Sequence, residues 1–221
     1  MTILRHPIDF EPITETQRRA LGALDTTLLS DAMDGRQTVA ALRPVKAGLK
    51  LVGQARTVFC PGSVRPAVCA IAIARPGEVL AIDGGGGQAH ASLGGIMALD
   101  AKAHGLAGGV VDGAVRDIAE LRENGLAIFS RGVTPHGAGR DPRGEIDGPI
   151  LLAGARVLPG DVVVGDDDGV VVIPRTEVDA VIARAEAKRA TEAGWIAAIQ
   201  SGKALAEVHG FTIPEPAAAP A

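Results

Sequence analysis

The sequence predicts an α/β protein, and three observations carry this prediction. Hydrophobic residues make up 47% of the 221 residues, yet aromatic residues make up 2% and tyrosine is absent. The core must therefore consist of Val, Ile, Leu and Ala, as in α/β proteins with buried strands. From residue 77 onward, short apolar runs alternate with helical patterns across glycine-rich loops. Strand–helix–strand units of this length normally give parallel strands.

The chain is long enough for one large domain with its own core. We predict a single α/β domain over residues 1–210. The last segment, residues 211–221, is rich in Pro and Ala and offers little that could be buried. We therefore predict that this tail is disordered.

Composition and charge also narrow the function. The formal net charge is −4 and no basic block occurs, which argues against a nucleic-acid partner. No apolar run reaches the length of a membrane span, and the first ten residues lack the apolar core of a signal peptide. Cys60 and Cys69 fit neither a zinc spacing nor a disulfide framework. We expect a soluble, cytoplasmic protein that has no membrane partner.

The N-terminal part predicts two helices and a strand. The first helix opens at Thr14, because Thr14 and Gln17 match a capping box. The second helix, TTLLSDAMDG, ends at Gly35, which is a good left-handed terminator. The run GLKLVGQARTVFC then alternates well enough for a strand.

Three strands and two helices are predicted after residue 76. The first strand ends at Asp83, the second ends at Asp112, and Gly105 stops the helix between them. The elements in order are the strand PGEVLAID, the glycine-rich loop GGGGQAHASL, the helix GGIMALDAKAHG, the strand AGGVVDG, the loop and helix AVRDIAELRENG and the strand LAIFS. This βαβαβ pattern predicts a parallel sheet.

The rest of the chain predicts a long loop, several strands and a last helix. Residues 131–149 are too many for a simple connection, so we expect a functional lid or a segment ordered by a partner subunit. The strands PILLAGARV, VVVG and VVVIP follow. The last helix is predicted to begin at Thr176, with Asp179 completing a second capping box.

The glycine-rich loop is the first candidate site. A loop that follows a strand and opens a helix presents unpaired N–H groups and the positive end of the helix dipole to an anion. Gly94 and Gly95 would let a small carboxylate approach the backbone closely. The motif is neither a P-loop nor GxGxxG, so a nucleotide is not expected. The alternative interpretation is a merely flexible turn.

The second candidate site is VVDGAVRD, in which Arg116 and Asp117 follow a strand. Ligands of α/β sheets bind just past the carboxyl ends of parallel strands. An arginine can hold a carboxylate or carbonyl oxygen, and an adjacent aspartate can bind a hard cation such as Mg²⁺. The alternative is an ordinary helix start, in which Asp117 favours the helix dipole and Arg116 pairs with it on the surface.

Other polar clusters are interpreted as structural. The acidic turn at residues 166–169, DDDG, supplies the conformations needed between two apolar strands. His90 and His136 lie in candidate site loops, but the five histidines show no metal-binding spacing.

Taken together, the motifs resemble one protein family. The ordered set DGGGG, GGIMA, GGVVDGAVRD, FSRGVTP and PGDVVVGDDDGVVVIP is similar to the 4-hydroxy-4-methyl-2-oxoglutarate aldolases, and it spans about residues 20–192. This family also includes the regulator of ribonuclease E activity and proteins labelled demethylmenaquinone methyltransferase-like. The resemblance implies an α-β-β-α sandwich of the swivelling phosphohistidine-domain type. It also implies a homotrimer or homohexamer with active sites between subunits.

The resemblance further implies a chemistry and a set of site residues. Members are class II pyruvate lyases that use Mg²⁺ or Mn²⁺ and cleave 4-hydroxy-2-oxo acids or decarboxylate oxaloacetate through a metal-stabilised enolate. By the family pattern, Asp117 binds the metal, Arg116 contacts the keto oxygen, and Glu192 reaches a neighbouring subunit's site. The backbone amides that hold the pyruvyl carboxylate are those of Gly94, Gly95, Ile96 and Met97.

The chain departs from the family pattern at Gly95, where an acidic residue usually helps to hold metal-bound water. Asp83, Asp100 and Asp112 are the candidates to compensate. Without a base, decarboxylation of oxaloacetate is chemically less demanding than retro-aldol cleavage. The alternative function is a non-catalytic regulator that binds a ribonuclease or another protein. The retained pair of Arg116 and Asp117 favours the enzyme, and no adenosylmethionine motif supports a methyltransferase.

Overall fold

The structure, a computed structural model, describes residues 3–39, 41–141 and 143–215. Within these residues the chain forms thirteen strands and seven helices. The strands are β1 (Leu4–Arg5), β2 (Thr38–Val39), β3 (Arg43–Pro44), β4 (Leu51–Phe59), β5 (Glu78–Asp83), β6 (Ala91–Leu93), β7 (Gly108–Val115), β8 (Ala127–Val133), β9 (Glu145–Ile146), β10 (Ile150–Leu152), β11 (Ala155–Val157), β12 (Val162–Asp166) and β13 (Gly169–Ile173). The helices are α1 (Glu15–Gly22), α2 (Thr26–Asp31), α3 (Arg65–Ile71), α4 (Gly95–Ala103), α5 (Ile118–Asn124), α6 (Val178–Gln200) and α7 (Leu205–Val208).

One mixed sheet forms the centre of the molecule. Its strands lie in the order β2–β13–β12–β4–β5–β7–β8–β3, with β6 beside β7 and β9 between β1 and β4. The neighbours β4, β5, β7 and β8 run parallel, whereas β12, β13, β2 and β3 join antiparallel. The predicted α/β class and the predicted parallel βαβαβ unit are both confirmed. The phosphohistidine-domain type of sandwich stays a prediction.

Alternate residues of the central strands enter two different cores, because successive side chains of a strand point to opposite faces. Leu80 and Ile82 of β5 pack with α3, α4 and α5 on one face. Val79 and Ala81 of the same strand pack on the other face, under the separate hairpin of β10 and β11. A third core joins α1, α2 and α6 to β12 and β13. The helices that position the candidate site therefore all lie on the first face.

Several local predictions are confirmed and others need correction. Thr14 forms the predicted capping box with Gln17. The last helix begins at Val178 and has no capping box, because the Asp179 carboxylate accepts a hydrogen bond from Gln17 Nε2 of α1 instead. The second parallel strand does not end at Asp112. It continues to residue 115, because β6 pairs beside its last residues.

The C-terminal prediction is only partly within the described structure. Residues 211–215 lie outside helices and strands, and residues 216–221 of the predicted disordered tail lie outside the described residues. Among the helices that the structure describes, none is both long enough and apolar enough to cross a membrane.

Candidate active site

The main cavity has a volume of about 770 Å³ and lies where α4 and α5 begin. Its first wall contains Leu93 and the start of α4, together with Arg116 and Asp117. We call the part of the lining that comes from Arg65 and Val68 of α3 and from Gly137, Ala138 and Arg140 of the long loop its second wall. Both predicted motif regions therefore line one cavity. Binding sites for small molecules are usually concave in this way.

Arg116 and Asp117 occupy a strained turn between β7 and α5. The Arg116 N–H donates to the Leu93 carbonyl oxygen at 3.0 Å, which holds the turn against the end of β6. Asp117 precedes α5 with φ 59° and ψ 47°, in the left-handed region. Few residues other than glycine adopt this conformation, and Asp and Asn do so most readily. The strain directs the Asp117 side chain away from its own helix and toward α4.

The Asp117 carboxylate bridges the two motifs. Its Oδ2 accepts a hydrogen bond from the Gly95 N–H at 3.0 Å and lies 3.5 Å from Arg116 Nε. Gly94 permits this approach, because a Cβ there would lie 2.6 Å from Asp117 Oδ2 and 3.0 Å from Arg116 Cγ. The alternative interpretation, an ordinary helix start, therefore does not explain the position of Asp117. Its carboxylate binds the N-terminus of α4 and not that of its own helix, α5.

The amides of α4 are only partly available to a ligand. The Gly95 N–H, which was predicted to hold a substrate carboxylate, donates to Asp117 Oδ2 in this structure. Among the described residues, the N–H groups of Ile96 and Met97 have no acceptor. Unpaired amides at the first turn of a helix favour an anion. The anion site over residues 94–97 stays a prediction, in which the Gly95 N–H is occupied by Asp117.

Glu120 is a site residue that the sequence reasoning missed. It lies in the first turn of α5, and its carboxylate covers the Cα of Gly95. A Cβ at Gly95 would collide with this carboxylate, and the Glu120 Cδ would be only 3.0 Å away. An acidic group is therefore present where the family pattern has its acidic side chain, but it comes from α5. The spacing of Glu120, three residues after Asp117 on one helix face, was the available signal.

The three aspartates considered as compensating acids have other partners. Asp83 Oδ2 accepts the Leu151 N–H at 3.2 Å, and Asp112 Oδ2 accepts the Ala153 N–H at 2.6 Å. Both carboxylates thus hold the β10–β11 hairpin on the opposite face of the sheet. Asp112 also pairs with Arg131, and this hydrogen bond raises the pKa of the Arg131 guanidinium.

The third aspartate, Asp100, pairs with His104 on the outer side of α4. None of the three therefore replaces the acid that is missing at position 95.

Gly137 is a second residue that sequence reasoning missed. A Cβ on Gly137 would lie 2.7 Å from Arg116 Nη1, so the guanidinium lies directly over this glycine. The segment is fixed by the Ala91 N–H, which donates to the His136 carbonyl oxygen at 2.8 Å. The long loop therefore forms one wall for Arg116, which agrees with a functional role for residues 131–149.

The acidic side chains near the cavity fit a divalent cation that is bound by few protein ligands. Within the described ranges, no group of three or more His, Cys, Asp or Glu side chains could hold a metal ion alone. Asp117 is the half-exposed carboxylate of the cavity, whereas Glu120 lies over Gly95 and lines a neighbouring cavity that shares Ile96 with it. Mg²⁺ commonly uses one or two carboxylates and keeps several waters, which these residues would allow.

Glu192 is not near this cavity within the chain. It lies on α6, and its Oε1 is 4.0 Å from Lys188 Nζ, which also pairs with Asp31 of α2. The α6 helix packs against α1 and α2 rather than against α4 and α5. A role for Glu192 in a neighbouring subunit's site stays a prediction.

The acidic turn has the structural role that was predicted for it. The Asp166 carboxylate accepts hydrogen bonds from the Thr26 N–H and hydroxyl at 2.8 and 2.5 Å, and Asp167 accepts the Gly48 N–H at 2.8 Å. The rings of His90 and His136 pack beside the cavity wall with centroids 4.6 Å apart and their planes tilted by 49°. Neither histidine lines the cavity itself.

The chain is similar to known proteins over most of its length. A family model described as RraA-like, Aldolase/RraA, matches residues 26–172. A protein of Halalkalibacterium halodurans, whose name assigns it 4-hydroxy-4-methyl-2-oxoglutarate aldolase activity provisionally, is 38% identical over 171 residues, which cover 76% of this chain and 81% of that protein.

Two solved structures share the fold. An uncharacterised protein of Pseudomonas syringae superposes with a TM-score of 0.82 at 31% identity, covering 93% of this chain and 98% of that one. The RNA-processing inhibitor RraA of Thermus thermophilus superposes with a TM-score of 0.63 at 33% identity, covering 68% and 92%. Because the family model spans well over half of the sequence, the chain belongs to the Aldolase/RraA family.

Proposed function

We propose that this protein is a divalent-metal-dependent carbon–carbon lyase of the class II pyruvate type. Its substrates would be 4-hydroxy-2-oxo acids such as 4-hydroxy-4-methyl-2-oxoglutarate, which yield pyruvate, and oxaloacetate, which loses CO₂. One observation carries the proposal: Arg116, Asp117 and the free amides at the start of α4 face a single cavity. These are the groups required to hold a 2-oxo acid and to stabilise its enolate.

The chain's own residues suggest how bond cleavage is assisted. The N–H groups of Ile96 and Met97 would bind the carboxylate of the 2-oxo acid, and Arg116 would donate to its keto oxygen. As the C3–C4 bond breaks, its electrons form the enolate, and the negative charge develops on the oxygen that Arg116 contacts. A divalent cation held by Asp117, Mg²⁺ or Mn²⁺, would supply Lewis-acid stabilisation of the same charge when bound.

Proton transfer distinguishes the two reactions. Retro-aldol cleavage requires removal of the C4 hydroxyl proton, whereas decarboxylation does not. We assign this proton to Glu120, whose carboxylate lies over Gly95 and lines a neighbouring cavity that shares Ile96 with the main one. The later step in both reactions is protonation of the enolate at C3, which releases pyruvate. With Glu120 as the base, the proposal includes aldol cleavage despite the glycine at position 95.

We also propose a homo-oligomer, a trimer or a hexamer, with sites between subunits. Ile96 and Leu99 on α4 are 80% and 63% exposed beside the cavity, which is unusual for large apolar side chains unless a partner covers them. Co-expression of an Asp117→Asn chain with a Glu192→Gln chain tests this arrangement. Each variant alone would be inactive, and the mixed oligomer would regain part of the activity. No recovery in a stable oligomer would argue that Glu192 does not act across subunits.

A non-catalytic regulator is the second candidate, because one similar structure is titled an RNA-processing inhibitor. The deciding experiment follows pyruvate release from oxaloacetate and from 4-hydroxy-4-methyl-2-oxoglutarate, with Mg²⁺, with Mn²⁺ or with a chelator. We expect metal-dependent pyruvate from at least one substrate. No metal-dependent pyruvate from either would favour the regulator.

The Arg116→Ala variant tests the assignment of the oxyanion-stabilising group. Its kcat should fall roughly 10²–10³-fold, as when one such donor is removed from an oxyanion hole. Arg122→Ala, on the helix that follows Arg116, is a matched control, because Arg122 donates to the Val45 carbonyl oxygen outside the cavity. Unchanged turnover of Arg116→Ala would overturn this role.

A further inference from the structure

The cavity carries more positive charge than a simple 2-oxo acid needs. Its lining contains three arginines, Arg65, Arg116 and Arg140, and one carboxylate, that of Asp117. The pyruvyl end of a substrate is already accommodated by Arg116 and the α4 amides on the first wall. Arg65 and Arg140 are exposed residues of the second wall, which leaves them available to the part of a ligand that extends beyond the keto group.

These two arginines have no competing acidic partner in the described part of the chain. Neither lies within 4.0 Å of a carboxylate oxygen there, whereas their neighbour Arg143 pairs with Asp141 at 2.9 Å. An arginine fork that lines a cavity without a protein partner can accept a planar carboxylate through two parallel hydrogen bonds. The observation therefore indicates an anionic ligand group at this wall.

The backbone around the two arginines is fixed. The Val64 N–H donates to the Gly139 carbonyl oxygen at 3.0 Å, and the Gly139 N–H donates to the Gly62 carbonyl oxygen at 3.0 Å. The buried Ser63 adds a hydrogen bond from its hydroxyl to the Asp141 carbonyl oxygen at 2.5 Å. Arg65 and Arg140 directly follow the residues of this bridge, so their Cα positions are held together on one side of the cavity.

We infer that Arg65 and Arg140 are specificity-determining residues that bind a second, distal carboxylate of the substrate. This inference rests on the proposed function and narrows it to 2-oxo dicarboxylic acids. It also separates the two reactions. In 4-hydroxy-4-methyl-2-oxoglutarate the distal carboxylate keeps its charge throughout cleavage, so its contacts persist in the transition state. In oxaloacetate the distal carboxylate is the group that leaves as CO₂, so binding it tightly stabilises the ground state more than the transition state.

The first test measures binding without turnover. The probe is 2-oxoglutarate, which has no C4 hydroxyl for retro-aldol cleavage and no carboxylate adjacent to C3 for decarboxylation. Calorimetry with Mg²⁺ present should show that the wild-type protein binds 2-oxoglutarate more tightly than pyruvate. The Arg65→Ala, Arg140→Ala double variant should lose roughly 10-fold or more of this preference while its affinity for pyruvate stays within about twofold.

The second test separates the two ends of the substrate by kinetics. Exchange of the pyruvate methyl protons in D₂O reports enolate formation without a distal carboxylate. The double variant should keep this exchange rate within about twofold and raise KM for oxaloacetate roughly 10-fold, with kcat for decarboxylation equal or higher. Its kcat/KM for 4-hydroxy-4-methyl-2-oxoglutarate should fall by a similar factor. Arg143→Ala, in the same loop but paired outside the cavity, is the control and should change none of these values.

The possible results are distinct. If the double variant keeps both KM values and the binding preference, the inference is wrong and the proposed function stands. If exchange falls as much as cleavage does, the arginines act on the pyruvyl end or on the fold, and the inference is again wrong. If the wild-type protein shows neither exchange nor cleavage, the proposed function fails and this inference fails with it.

Discussion

Two of the places where an arginine meets acidic side chains, one around Arg56 and one around Arg116, differ in burial and in hydrogen bonding. In the buried cluster, Arg56 is 1% exposed and donates to both Glu78 oxygens at 2.9 and 3.0 Å and to Asp147 Oδ1 at 2.7 Å. In the open cluster, the Arg116 and Asp117 side chains are 46% and 36% exposed and approach each other only to 3.5 Å.

The difference shows which features mark a ligand site. Backbone strain does not discriminate, because Asp147 and Asp117 both adopt left-handed conformations, with φ of 64° and 59°. Residue type does not discriminate either. The buried guanidinium has its donors occupied by protein, and it joins β4 to β5 and to the residues after β9. The open guanidinium keeps donors directed into a cavity, beside the free amides of α4. The feature that indicates a ligand site is therefore a set of hydrogen-bond donors that line a cavity and have no protein acceptor.

Removing the buried arginine should have the largest effect on stability. Arg56→Ala would leave the buried Glu78 carboxylate without a counter-charge and Asp147 with only its 3.5 Å contact to Arg5, and breaking a buried pair typically costs about 3–5 kcal/mol. The measurement is the free energy of unfolding in urea, with Arg143→Ala as an exposed control that should change it by no more than about 0.5 kcal/mol. A loss below about 1 kcal/mol for Arg56→Ala would contradict the structural role of this cluster.

The Glu120→Gln variant tests whether Glu120 accepts the C4 hydroxyl proton in retro-aldol cleavage. General-base catalysis usually contributes roughly 10²–10⁴-fold, so retro-aldol cleavage should slow by about that factor. Decarboxylation of oxaloacetate, which needs no base, should stay within about threefold of the wild-type rate. The readout is the ratio of the two kcat values. An equal fall in both reactions would show that Glu120 does not act on the hydroxyl proton.

Gly137→Ala tests the space beneath Arg116. The new Cβ would lie 2.7 Å from Nη1, so the guanidinium must move, and a displacement of this size near the chemistry can reduce kcat/KM up to roughly 100-fold. Gly87→Ala is the control, because its Cβ would have no heavy atom within 4 Å. Similar kcat/KM values for the two variants would mean that Arg116 is not held in place by the loop.

The two cysteines also differ in burial, and the difference predicts which thiol reacts. Cys60 is buried and Cys69 is exposed. Burial, assisted by the nearby Asp83 charge, raises the pKa of the Cys60 thiol to about 12, so almost no thiolate forms at pH 8. Mass spectrometry after iodoacetamide treatment at pH 8 should find Cys69 modified and Cys60 intact. Equal modification would indicate that the first core opens readily.

Much of the fold was predictable because its signals are local. The apolar runs at β5, β7 and β8, with glycine terminators after α4 and α5, specify a parallel unit without reference to the rest of the chain. The two-residue strands β1, β2, β3 and β9 were not predicted, because each exists only through its partner strand. The helix α3 was also missed, although Pro66 in its first turn was an available signal.

The sequence by itself determined that Arg116 and Asp117 follow a buried parallel strand and that a glycine-rich helix start comes before them. Those facts depend on order along the chain, and they were sufficient to identify the family and the first wall of the cavity. Only the tertiary structure decided that Glu120 covers Gly95, that Gly137 makes room for Arg116, and that Arg65 and Arg140 share the second wall. These contacts join residues up to about eighty positions apart, and distance along a chain carries no information about proximity until the sheet and its loops have formed.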